Sequence, residues 1–232
     1  MTFTERLNHL HLLLEQDLNN SVFIQGKHLK YSDAFQYIYK NIELIIGANT
    51  HNNIILANIQ FHEGTPMIRC MTDNLDLDLS TCIVGHVIFL PESDKNNFFA
   101  FFWHMAHEMV HVFLSIKDNT LPSSYHTPSV LEEGLATYIA KYLYNQYFSS
   151  INILYPQILN NDFAYDYAEN IYKKIMTLNN NNISFIKKIR QTNPSLKLLN
   201  KNDFRHIIIN QQLIDESVAD FQSKFNRVPG TY

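Results

Sequence analysis

The apolar positions of this chain change period twice. Leu7, Leu10, Leu13, Leu14 and Leu18 recur at helical spacing, which predicts a helix over residues 4–18 with Thr4 as its N-cap. Short runs at 22–24 and 28–31 flank Gly26-Lys27 and suggest a hairpin. Phe35, Ile38, Tyr39, Ile42, Ile45 and Ile46 return to helical spacing, with Ser32 or Asp33 as the cap and Gly47 as the stop. The pattern then shortens. Residues 54–61, 67–72 and 83–90 are brief apolar or β-branched runs, three strands of an antiparallel or mixed sheet.

Pro91 stops the last strand, and Ser93 or Asp94 offers a cap for a helix reaching about residue 116. An Asn-, Pro- and Ser-rich loop fills 117–129. Helical patterns return at about 129–148, 150–159, 162–178, 183–191 and 201–225, with loops at 179–182 and near Pro194. The order of helices, strands and helices predicts an α+β fold. At 232 residues the chain suits a single domain. Its expected parts are helices and a small sheet (1–92), a pair of long helices (93–148) and a helical C-terminal part (149–232). The Asn run at 179–182 reads as part of a general Asn richness.

Inside the stretch FFAFFWHMAHEMVHVFLSI, the residues His107-Glu108-Met109-Val110-His111 follow the pattern H-E-x-x-H. On a helix, positions four apart share a face, so both imidazoles point to one spot and can supply two nitrogen ligands to zinc, with Glu108 beside the metal as a base. With 11 His and 10 Glu in the chain, random order would produce roughly 0.02 such motifs. The helix-compatible setting lowers the accidental reading further.

A catalytic zinc uses three protein ligands and leaves a fourth position for water. The third ligand is expected from LEEGLATY, where Glu132 and Glu133 open the next helix. Glu133 is the expected ligand and Glu132 the fallback. Two acids in a first turn also suit the helix dipole without any metal. His104 lies on the same helical face, and a fourth protein ligand would close the site, so it is expected to pack beside the metal rather than bind it. His86 interrupts an apolar strand and is expected at an exposed strand position.

HEMVH followed by EEGLATY resembles the gluzincin branch of zinc metallopeptidases. The aminopeptidase-type members share a glutamate-glycine-x-alanine-threonine-tyrosine run, matched here by Glu133, Gly134, Ala136, Thr137 and Tyr138. Small IrrE-like peptidases similarly carry a glutamate three residues before an alanine, again Glu133 and Ala136. The resemblance covers about residues 83–143 and implies a zincin-like domain, one zinc per chain and a peptide or protein substrate. It also implies that strand 83–90 is an edge along which an extended peptide adds, and that a tyrosine or histidine stabilises the oxyanion. Candidates for that donor are Tyr125, His126, Tyr138, Tyr165 and Tyr167. Two departures stand out: no G-x-M-E-N stretch grips a free N-terminus, and Thr137 stands where thermolysin-like enzymes have an aspartate. The alternative function is a non-catalytic zinc-binding module that regulates or binds a partner.

Composition adds exclusions. A net charge of −4 gives no reason to expect nucleic acid. The basic residues at 187–190 and 197–201 are expected as solvated helix faces. Cys70 and Cys82 lack the spacing of a zinc or redox pair, and so few cysteines suit a cytoplasmic protein. The most apolar helix carries three histidines and Glu108, which argues against a membrane span. Asp73, Asp76 and Asp78 lack the glycine and glutamate of a calcium loop and read as a strand edge.

Overall fold

The computed structural model describes residues 21–47, 54–72, 84–114, 128–151, 153, 163–178 and 180–192. The expected helices at 4–18, 150–159 and 201–225 lie outside these residues or nearly so. The Asp-rich link, Cys82, Tyr125 and His126 also lie outside them.

Gln25 and Gly26 take positive φ (47° and 81°), the geometry of a two-residue turn whose twist suits paired strands. They join β1 (Ser21–Ile24) to β2 (Lys27–Lys30), an antiparallel hairpin. Helix α1 (Tyr31–Ile46) follows at once and stops at Gly47, whose φ of 86° favours glycine. Its N-cap is Lys30, with no side-chain hydrogen bond, rather than Ser32 or Asp33. Both of those fall within the first turn, because Tyr31 is drawn into the core and its hydroxyl bonds the carbonyl of Lys95 at 3.0 Å.

Strands β3 (Ile54–His62), β4 (Met67–Thr72) and β5 (Val84–Pro91) form a mixed sheet of order β3-β5-β4. β3 runs parallel to β5, and β4 runs antiparallel to it. Two expectations are corrected here. β5 is the central strand, not an edge. His86, paired through its backbone with Leu56 and Cys70, is 2 % exposed rather than on the surface. A middle strand has neighbours on both sides, and Val87, Ile88 and Leu90 of β5 are buried with it.

A 3₁₀ turn (Glu92–Asn96) leads from β5 into α2 (Phe98–Leu114). The cap of α2 is Asn97, whose Oδ1 accepts from the Ala100 N–H at 3.2 Å, rather than Ser93 or Asp94. Asp94 is thereby left to bond His104. Helices α3 (Val130–Phe148), α4 (Phe163–Leu178) and α5 (Phe185–Thr192) complete the described chain. α2 packs on α1, α3, β4 and β5, and α3 packs on α4. Both α2 and α3 are therefore buried over most of their circumference. Phe98, Phe99 and Phe102 of α2 interlock with Tyr144, Tyr147 and Phe148 of α3 at ring distances of 4.8–6.4 Å. A small N-terminal sheet followed by a largely helical region is the expected α+β, zincin-like arrangement.

Two polar devices close the fold. Asn180 and Asn181 adopt left-handed φ (55° and 58°), and their N–H groups bond the carbonyls of Thr177 and Met176. This is a helix C-terminal motif that tolerates asparagine, so part of the Asn run has a structural use. Lys187 and Lys188 are exposed as expected, but Arg190 of α5 is buried. Its guanidinium donates to Ile46 O at 2.7 Å and Phe113 O at 2.8 Å, joining the C-terminal ends of α1 and α2. Burial lowers the Arg190 pKa to about 10.

Candidate metal centre

His107 and His111 lie one turn apart on α2, and Glu133 comes from the first turn of α3, which packs against it. Ser129 fixes that first turn. Its Oγ accepts from the Glu132 N–H at 3.2 Å, and its carbonyl accepts from the Glu133 N–H at 3.0 Å. The glutamates are thus presented by a capped, rigid backbone.

The three expected ligands converge. Nε2 of His107 and Nε2 of His111 are 3.2 Å apart, and the Glu133 carboxylate oxygens lie 3.1 Å from the first and 3.5 Å from the second. Four-coordinate ions with bonds near 2.0–2.1 Å have ligand–ligand edges of about 3.3 Å, so this donor set has the spacing of a tetrahedral site. Oε2 of Glu133 is buried and makes no hydrogen bond despite its closeness to His107. Its orientation suits a shared ion better than a histidine–glutamate pair. The residues present can hold a metal ion.

The electrostatics agree with that fit. Burial raises the Glu108 pKa, an effect partly opposed by His107 and His111 and reinforced by Glu133. Burial pushes the His111 pKa down, but the Glu133 charge and hydrogen bonds with Glu132 and Glu133 reverse this and hold it well above 6.5. Glu133 itself is held below the ordinary carboxylate range: burial would raise it, and His111 and His107 overcome that. Without a metal, a proton on His111 balances the buried carboxylate.

The other expected residues are distributed around this centre. His104 is one turn before Glu108 and bonds the buried Asp94 through Nδ1 at 2.7 Å. It stands outside the converging set. Glu132 is not among the converging atoms either; its Oε1 meets Nδ1 of His111 at 2.9 Å. Tyr165 of α4 places its ring against His107, centroids 5.7 Å apart. Tyr138 packs on Tyr172 at 5.1 Å, and Tyr167 is half exposed. Thr137 is buried, and its hydroxyl has no hydrogen-bond partner among the described residues. Sequence reasoning missed the Asp94–His104 pair, since Asp94 read as a helix cap.

No helix among the described residues is long and apolar enough to cross a membrane. Comparison with protein-family models, curated proteins and solved structures finds no match to this chain. The site therefore rests on its own geometry: His107, His111 and the distal Glu133, with Glu108 between the histidines in the H-E-x-x-H pattern, form a zincin-like metal-binding triad consistent with a gluzincin active site.

Proposed function

We propose that the protein is a zinc-dependent metallopeptidase that cuts peptide bonds internally in a restricted set of substrates. The observation that carries this reading is the convergence of His107, His111 and Glu133 around one point, with Glu108 buried on the same helix. A metal-binding module without catalysis has no use for Glu108, whose burial is costly. Zinc is the ion that two imidazoles and a carboxylate at these separations suit. When bound, it would supply an activated water and polarise the scissile carbonyl.

The chain's own residues then divide the work. Glu108 accepts the proton of the attacking water and returns it to the leaving amine nitrogen. Its raised pKa suits a group that must both take and give that proton. Of the oxyanion donors Tyr138, His126 and Tyr165, the contact with His107 favours Tyr165. The low cysteine count supports a cytoplasmic setting.

Replacing Glu108 by Gln in the full chain tests the reading. The variant should bind zinc as the parent does and lose peptide cleavage. Cleavage at the parental rate would overturn the assignment of Glu108 as the base.

A further inference from the structure

The two adjacent glutamates of α3 address opposite sides of one imidazole. Glu133 faces Nε2 of His111, whereas Oε1 of Glu132 lies 2.9 Å from Nδ1 of the same ring. Neighbouring positions on a helix point about 100° apart, so the pair cannot both reach the metal point without distorting the turn that Ser129 caps. Both partners are largely enclosed, with side chains 11 % and 13 % exposed.

We propose that Glu132 is a positioning residue for metal binding, a conclusion that rests on the zinc reading above. A neutral imidazole carries one N–H, and the nitrogen facing a carboxylate oxygen is the one that donates. In the neutral, metal-binding form of His111, Glu132 therefore keeps the one proton on Nδ1 and leaves the Nε2 lone pair toward His107 Nε2 and Glu133. It also fixes the ring plane, which a side chain on α2 alone would leave free to rotate. Thr137, one turn after Glu133, cannot take this part, because its hydroxyl makes no hydrogen bond among the described residues.

The test is zinc affinity of the full chain by competition with a chromophoric chelator, together with the visible spectrum of the Co²⁺-substituted protein. Glu132→Ala should weaken zinc about 10- to 100-fold while keeping the parental Co²⁺ bands, because the ligand set is unchanged. Glu132→Gln, which retains an oxygen acceptor, should recover most of that loss, and it serves should the alanine variant fail to fold. Glu133→Ala, by contrast, should alter the Co²⁺ spectrum. Parental zinc affinity in Glu132→Ala would overturn the assignment alone. So would a Co²⁺ spectrum like that of Glu133→Ala, which would make Glu132 a ligand. A parent that binds no zinc would instead overturn the proposed function on which the assignment rests.

Discussion

Gly134 and Ala168 meet so closely that a Cβ on residue 134 would stand 2.1 Å from the Ala168 carbonyl oxygen. The obstacle is backbone, which cannot swing aside. Helix α4 crosses α3 at the residue after Glu133, and one turn upstream of that crossing Tyr165 rests on His107. The glycine costs helix propensity of about 1 kcal/mol relative to alanine, and close approach is what it provides. Gly134→Ala is expected to destabilise the protein by about 1–3 kcal/mol or more. Urea unfolding would measure it, and a variant as stable as the parent would show that α4 sits elsewhere.

Arg190 holds the C-terminal ends of α1 and α2 from α5, 77 residues along the chain from Phe113. Arg190→Met keeps apolar volume but leaves the carbonyls of Ile46 and Phe113 without this donor. Each such orphaned acceptor costs about 1–3 kcal/mol, so a loss of several kcal/mol is expected in denaturant unfolding. Metal stoichiometry of the folded fraction should not change. A neutral substitution would mean that water satisfies these carbonyls.

The paired shifts of His111 and Glu133 give the metal-free protein a pH dependence. His111 binds its proton more tightly when folded, so its contribution to stability is full below pH 6.5 and fades as pH rises through the raised folded value. Glu133 contributes above its ordinary 4.5, and that contribution fades only as pH falls through its lowered value. Metal competes for the same histidine nitrogen, so zinc binding near pH 6.5 should release a proton. Calorimetric titration in two buffers of different ionisation enthalpy would count it. Zinc uptake with no proton release would contradict the His111–Glu133 pairing.

Much of this site was legible because its signals are local. His107, Glu108 and His111 need only helical spacing to share a face. Glu132 and Glu133 mark a helix start, whose cap, Ser129, only the structure identifies. The three strands and α1 also followed from period alone. What was hidden depends on contacts distant in sequence. The family resemblance implied an edge position for β5, and apolar alternation does not reveal strand order: β3 pairs directly with β5 in parallel, skipping β4 in the sequence, so that β5 lies in the middle. Arg190 looked like part of a solvated basic face, since its partners lie on two other helices. Glu132 looked like a spare ligand, since only the ring orientation of His111 separates a donor to the metal from a partner of Nδ1.

Removing a ligand should differ from removing the base. His107→Ala and Glu133→Ala each leave two of the three donors, and zinc affinity should fall by orders of magnitude with loss of cleavage. Glu108→Gln should retain the metal and lose roughly 10²- to 10⁴-fold in rate. Dialysis against a chelator followed by zinc return would separate the two classes: the ligand variants should stay inactive for want of metal, the base variant despite holding it. Equal metal loss in all three would remove the distinction between ligand and base.

The most direct measurement is a crystal structure of the zinc-loaded protein with anomalous scattering collected at the zinc edge. One zinc per chain should appear about 2.0–2.2 Å from Nε2 of His107, Nε2 of His111 and the Glu133 carboxylate, with a further position open to water. A zinc bound instead through His104 or Glu132, or no zinc at the α2–α3 junction, would show that His107, His111 and Glu133 are not the metal site.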